Sequence, residues 1–312
     1  MQKRRLGTAG PEVSPVGLGA NNFGGRSDFE ASRRVVDRAL ELGITLIDTA
    51  DSYGNRGGSE EFLGRILGPR RKDIVLATKF GLPMDNTGKM KGASRHYAMQ
   101  AIEASLRRLK TDWIDLYQVH FPDPATPIEE TVRALDDLIK SGKVRFIGCS
   151  NFSAAQLEKA LATSKQNGLA SFITCQDEYS LLDRGVEKDR LAAMQRHGLN
   201  LLPYFPLASG LLTGKYQRNA PPPSGSRLAK NAGRANDYLN ERNFTVVEAL
   251  SQFAAQRGHT ILELAMSWLA SRPYIASVIA GATKPEQVEA NIAAIGWMLS
   301  AAELAEIDRI TL

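Results

Sequence analysis

Cysteine is scarce in this sequence: Cys149 and Cys175 are the only two in 312 residues. That excludes a disulfide framework. Both sit in apolar strings, FIGCS and FITCQ, which read as small buried side chains at strand ends in a reducing compartment. Histidine is nearly as rare, and His96, His120, His197 and His259 lack a second His or a Cys at ligand spacing, so no metal motif is present. No run approaches the roughly 18 apolar residues of a membrane span. The start, MQKRRLGTAGPEVS, is basic without an apolar stretch behind it and does not read as a signal peptide, so a cytoplasmic protein is expected. The first strand is followed by Gly17-Leu18-Gly19-Ala20-Asn21-Asn22, where Asn22 takes the place of the third glycine of a dinucleotide fingerprint, which argues against a doubly wound sheet. Gly210–Tyr216 is one residue short of a phosphate loop, and no G-x-S-x-G elbow occurs.

The charge balance is mildly basic, with 39 Lys and Arg against 34 Asp and Glu. The basic groups, such as Arg33-Arg34, Arg70-Arg71-Lys72 and Arg107-Arg108, are scattered rather than gathered on one face. This excludes a nucleic-acid surface and leaves room for a basic pocket that takes an anionic cofactor.

Short β-branched runs alternate with long amphipathic stretches. Strands are predicted over 15–19, 45–47, 74–78, 114–119, 144–148, 171–175, 201–204 and 277–280, each with little polar alternation, as for strands covered on both faces. Helices are predicted over 29–42, 97–109, 128–139, 153–161, 183–196, 241–257, 261–271, 285–295 and 301–310. Eight strand–helix units in one domain, 1–312, make an α/β fold, a (β/α)8 TIM barrel. An N-terminal β-hairpin around Thr8-Ala9-Gly10-Pro11 precedes it, placed to plug the bottom, and extra C-terminal helices follow. The stretch 216–237, with its Pro triplet and glycines, reads as a mobile loop near the cofactor.

Catalytic residues of such a barrel come from the C-terminal ends of different strands. Those ends carry Asp48, Lys79, His120, Ser150-Asn151, Gln176 and Tyr204, and Tyr53 follows in the first loop. Each has a plain structural reading on its own: a helix cap for Asp48, a snorkelling Lys79, a satisfied core His120, packing for Tyr53. Together they suggest a proton donor. A phenol is a poor acid at neutral pH. A nearby ammonium at Lys79, held by Asp48, favours its phenolate, and His120 is placed to hydrogen-bond a substrate oxygen. Such a site reduces carbonyls if a hydride source lies beside it.

The strings GITLIDTADSYG (43–54), ATKFG (77–81), DWIDLYQVH (112–120), GKVRFIGCSNF (142–152) and GATKPEQ (281–287) resemble the aldo-keto reductase superfamily in the right order along nearly the whole chain. The resemblance implies a barrel that binds NADP(H), with NAD(H) as an alternative, and reduces aldehydes or ketones to alcohols. It implies Asp48, Tyr53, Lys79 and His120 as the catalytic tetrad, with Tyr53 as general acid. Ser150, Asn151 and Gln176 would hold the nicotinamide carboxamide and Tyr204 would stack on the ring. Leu207, Ser209, Gly210, Leu211, Thr213 and Lys215 would wrap the pyrophosphate. Gly281, Thr283, Lys284, Gln287 and Asn291 would take the adenosine and 2′-phosphate end, and Lys284 near a helix start suits a phosphate on first principles. Asn22, Phe23, Phe80 and Phe121 are expected to shape a pocket for a small-molecule carbonyl substrate. Two departures stand out: Ala290 where many relatives carry Glu, and Phe205 where Ser is usual. An alcohol or sugar dehydrogenase running the same site backwards is an alternative. So is a non-catalytic, redox-sensing subunit of a potassium channel.

Overall fold

The computed structural model describes residues 1–312. It opens with a short antiparallel hairpin, β1 (Arg4–Arg5) and β2 (Glu12–Val13). Eight parallel strands follow: β3 (Val16–Gly19), β4 (Leu46–Asp48), β5 (Val75–Phe80), β6 (Ile114–Val119), β7 (Val144–Ser150), β8 (Thr174–Glu178), β9 (Asn200–Tyr204) and β10 (Val278–Gly281). From β3 to β9 each strand pairs with its neighbour in sequence, and β10 returns to pair β3. The seam between β9 and β10 is narrow: the Leu201 amide donates to the Tyr274 carbonyl at 2.9 Å, and Leu201 bridges Ile275. The result is the (β/α)8 barrel that the sequence predicts.

Helices α1 (Phe29–Glu41), α2 (Tyr53–Leu67), α3 (Arg95–Leu109), α4 (Ile128–Lys140), α5 (Ala154–Asn167) and α6 (Arg190–Arg196) link β3 through β9. Three more, α7 (Ala232–Tyr238), α8 (Glu241–Ala255) and α9 (Ile261–Ala270), lie between β9 and β10, and α10 (Pro285–Ala293) and α11 (Ala301–Thr311) close the chain. Serine, threonine, asparagine and aspartate caps start most of them, with reciprocal capping boxes at Ser153/Gln156, Thr260/Glu263 and Ser300/Glu303.

Side chains alternate across each strand, and this sorts two cores. The inside of the barrel holds Leu46, Val75, Ala77, Leu116, Leu202, Ala276 and Ile279, and Leu6 and Val13 of the hairpin join that cluster. The hairpin therefore plugs the barrel bottom, as expected, and leaves the opposite mouth as the open end. The larger core lies between strands and helices.

Four differences from the sequence reading have local causes. No helix was expected between the second and third strands, yet α2 is there. Its first turns are broken by left-handed residues Gly54–Gly57, and its glycines hide the helical period. One of them, Gly64, is required: a Cβ there would lie 2.2 Å from the Arg108 carbonyl of α3. The strand expected from Ser171 begins at Thr174, because Phe172 is spent packing edge-on against Phe152 at 5.8 Å. The helix expected over 183–196 is a 3-10 turn, Gly185–Lys188, and then α6; Arg184 clamps Glu187 and Asp308 and pins that turn to α11. The stretch 216–237 contains most of α7, and its Tyr216 and Leu228 are buried.

Candidate active site

The open mouth of the barrel holds a cavity of about 720 Å³, in the usual size range for small-molecule sites. Asp48 and His120 reach its floor from the ends of β4 and β6, and Lys79, from the end of β5, is buried against Asp48 behind that lining. Tyr53 comes from the start of α2, where the Tyr53 amide donates to the Ala50 carbonyl and turns the chain back over the barrel.

Lys79 is fully buried and donates to Asp48 Oδ2 at 2.6 Å and to the Thr49 carbonyl at 2.8 Å. Its ammonium lies 5.1 Å from the centroid of the Tyr53 ring. The Tyr53 and His120 rings meet edge-on at 5.6 Å. The four predicted tetrad residues are thus one cluster. Asp48 Oδ1 accepts from Gln176 at 3.0 Å and from Gln118 at 3.3 Å. Gln118 was missed in the sequence, although counting back by two from His120 puts it on the inner face of β6.

The electrostatics refine the expectation for Tyr53. Burial raises its pKa, and the Lys79 charge pulls in the opposite direction without cancelling that effect. The phenol therefore keeps its proton at neutral pH, as a proton donor must. Burial opposes the charge on Lys79, but Asp48 and Tyr53 together outweigh it and hold the ammonium protonated. Burial, then the Lys79 charge, pushes His120 down to about 3, so this imidazole is neutral. Its Nδ1 is buried without a partner.

Ser150, Asn151, Gln176 and Tyr204 line one wall. They are tied together: Ser150 Oγ donates to the Gln176 carbonyl at 2.8 Å, Asn151 Nδ2 to the His120 carbonyl at 3.1 Å, and the Tyr204 hydroxyl to Asn151 Oδ1 at 2.9 Å. Leu207, Ser209, Gly210, Thr213 and Lys215 line the next stretch, and Gly281, Thr283, Lys284, Gln287 and Asn291 the far end. Asn22 and Phe121 also face the cavity.

Three expected residues lie elsewhere. Phe80 is fully buried and stacks on Tyr117 at 4.8 Å, because alternation along β5 turns it outward when Lys79 points inward. Phe23 and Leu211 are fully buried in the core as well. Conversely, Arg26, Arg227 and Arg234 line the cavity, and no motif in the sequence singles them out. The stretch expected to lie near the cofactor supplies Pro223–Arg227 and Arg234 to the cavity wall. Phe205 has a role here: its ring lies edge-on to Tyr204 at 5.2 Å, and the guanidiniums of Arg234 and Arg227 rest on it at 4.3 and 5.2 Å.

The wall suits a phosphate-bearing group. Phe205, Ala208, Ser209 and Gly210 all have left-handed backbones, and such turns point amides toward an anion. Ser209 Oγ is buried without a partner. A Cβ on Gly210 would lie 2.7 Å from Lys215 Nζ. Arg26, Lys215, Arg227, Arg234 and Lys284 face Asp48 as the single carboxylate of the lining, and Asp48 is engaged by Lys79. No group of three or more His, Cys, Asp and Glu is placed to hold a metal ion, and no helix is long and apolar enough to cross a membrane.

Comparison with known proteins agrees with this geometry. The model of the aldo/keto reductase family matches residues 15–311. The chain is similar to an L-glyceraldehyde 3-phosphate reductase of Escherichia coli, 34% identical over 99% of this chain and 92% of that protein. It is also similar to the aldo-keto reductase YhdN of Bacillus subtilis, 35% identical over 99% and 93%. A probable voltage-gated potassium channel subunit beta of Arabidopsis thaliana is 39% identical over 95% and 91%. With the barrel and the clustered strand ends in hand, these matches place the chain in the aldo/keto reductase family of oxidoreductases.

Proposed function

We propose that this protein reduces small aldehydes or ketones to alcohols with NADPH, using Tyr53 as the general acid. One observation carries the reading: the Tyr53 phenol and the neutral His120 ring meet at 5.6 Å above a buried Lys79–Asp48 pair, on the floor of an open cavity. A bound nicotinamide supplies the hydride. Ser150, Asn151 and Gln176 hold its carboxamide, and Tyr204 supports the ring. His120 hydrogen-bonds the carbonyl oxygen and fixes its direction. As negative charge develops on that oxygen, the Tyr53 hydroxyl gives it a proton, and Lys79 stabilises the phenolate left behind. In the reverse direction the same groups accept the proton of an alcohol.

Lys284 supports NADPH over NADH. It is the residue before α10, beside Thr283 and Gln287, where the helix start and the ammonium both favour a phosphate. The likeness to channel subunits supports a second reading, a cofactor-bound sensor on a membrane channel. The complete tetrad favours turnover.

The test is Tyr53→Phe, read with NADPH and a panel of aldehydes. Turnover should fall about 10²- to 10⁴-fold, the usual contribution of a general acid, while NADPH still quenches the protein fluorescence with parental affinity. Parental turnover in the variant would remove Tyr53 from the role.

A further inference from the structure

We propose that Asp51 carries a proton in the working protein and that losing it turns Tyr53 off, so that Asp51 sets the high-pH limit of carbonyl reduction. This makes Asp51 a positioning residue for the reaction proposed above, and it rests on Tyr53 as the proton donor.

Asp51 has an orphaned carboxyl group. The residue is 1% exposed, and neither carboxyl oxygen meets a donor in hydrogen-bonding geometry. Asp51 does not line the cavity, yet its backbone lies beside the chemistry. Asp51 and Ser52 form the middle of a turn that the Tyr53 amide closes on the Ala50 carbonyl at 3.2 Å. The Asp51 amide donates to the Lys79 carbonyl at 3.0 Å and fastens that turn to the end of β5. The residue that bears the phenol and the residue that bears the ammonium are therefore joined through the backbone of Asp51.

The surrounding groups leave Asp51 no countercharge. From β5, Lys79 is paired with Asp48 at 2.6 Å. From α3, Arg108 is paired with Glu60 of α2 at 2.7 Å, and Glu60 is itself fully buried. The Thr78 hydroxyl donates to Glu60 as well, at 2.6 Å. Thr78 lies in register with Tyr117 of β6, whose buried hydroxyl has no partner. Tyr97 of α3 adds a second buried phenol, which feels the Asp51 charge. Each cation thus has its own anion, and Asp51 is left over. An ionised carboxylate without water, hydrogen bond or free cation is far costlier than the neutral acid. Burial, then the Glu60 charge, accordingly raises Asp51 well above the carboxylate range, and Arg108, the Ser52 amide and Lys79 pull the other way without offsetting this.

Ionisation would do two things at once. The new charge would seek water and draw the turn off β5, and Tyr53 would move with it. It would also put an anion on the turn where the phenolate forms, and so oppose the proton transfer. A carboxyl group ionises before a phenol, and the Tyr53 phenol is held above its ordinary value, so Asp51 is the first group of this turn to lose its proton.

The experiment is Asp51→Asn, which copies the shape of the neutral acid and cannot ionise. With NADPH and 4-nitrobenzaldehyde, kcat of the parent should fall about tenfold per pH unit above its limit, as for loss of one essential proton. In the variant that limit should move up by at least about one pH unit. A role in packing alone would change kcat at every pH and leave the limit in place. An identical limit in both proteins would overturn the proposal, and so would a parent whose kcat does not fall below about pH 10, the ordinary phenol value. The proton is also read without turnover. Above about pH 4 the unfolded chain has released it and the folded protein keeps it, so stability is lost as pH rises toward the folded value. The unfolding equilibrium constant of the parent should therefore climb relative to that of Asp51→Asn, by about tenfold per pH unit in this window. A ratio that stays constant or falls from pH 4 to pH 7 would mean an ionised Asp51 and would overturn the proposal. Should Asp51→Asn not fold, Asp51→Ser, smaller and equally neutral, reads both quantities. If the parent reduces no aldehyde, the reductase reading fails and takes this role with it. If it reduces aldehydes and Asp51 proves ionised, only the role of Asp51 fails.

Discussion

Lys79 Nζ stands 2.6 Å from Asp48 Oδ2, and both residues are closed off from solvent beneath Tyr53. A buried pair of this kind is costly to break from one side, because the remaining charge has no water to turn to. Asp48→Ala should therefore destabilise the protein by about 3–5 kcal/mol. Asp48→Leu/Lys79→Met should cost clearly less than the sum of its two single variants. Urea unfolding of the four proteins measures the coupling. Additive losses would mean that the pair does not interact energetically as its geometry says.

Gln118 and Gln176 both donate to Asp48 Oδ1, but they should not respond alike. The Gln118 bond is the longer, and its Oε1 is buried without a partner. Gln118→Leu removes a weak bond and an unsatisfied oxygen together, so stability should move by less than about 1 kcal/mol. Gln176→Leu removes the shorter bond and a wall residue of the cavity, so it should weaken NADPH binding as well. Fluorescence titration and urea unfolding on both variants separate the two effects.

His120 links stability to acid. Its folded pKa lies near 3, against about 6.5 for the free side chain. Between those values the unfolded chain binds a proton that the folded protein refuses, so stability rises with pH across that window and is lost as pH falls through it. His120→Gln should flatten this part of the dependence. The parent-minus-variant difference in unfolding free energy between pH 7 and pH 4 is the readout. An unchanged slope would mean that the imidazole takes up its proton in the folded state without penalty.

Phe205 anchors the segment over the cavity through Arg227 and Arg234. Each such contact is worth about 0.5–2 kcal/mol depending on burial. Phe205→Ser should free residues 217–231 to local opening without changing global stability by the same amount. Limited proteolysis should then cut this stretch several times faster than in the parent. Equal cutting rates would show that Leu228 and Tyr216 hold the segment unaided.

Cys149 and Cys175 are paired in register on β7 and β8, and both are fully buried. The Cys149 thiol beside it, then burial, raises the Cys175 thiol well above its ordinary value. Neither should react with a thiol reagent in the folded protein, and both should react in denaturant. Mass spectrometry after timed labelling decides this. Fast native labelling of either would point to opening of the β7–β8 wall.

The sequence alone determined the barrel and its working end. Strand runs, helix caps and an ionisable residue at the close of successive strands are local or periodic signals. They are enough to bring Asp48, Lys79 and His120 to one mouth once the strands are parallel. The sequence did not reveal which face each residue takes where the strand limits are uncertain, and so Phe80 was expected in the pocket. It also did not reveal the glycine-broken start of α2 or the arginines of the mouth. Arg26 and Arg234 lie 208 positions apart in the chain, and no spacing rule connects them. Only the closed sheet, and the return of residues 216–238 across it to Phe205, puts their charges in one cavity. That arrangement comes from long-range packing, which composition and periodicity do not encode.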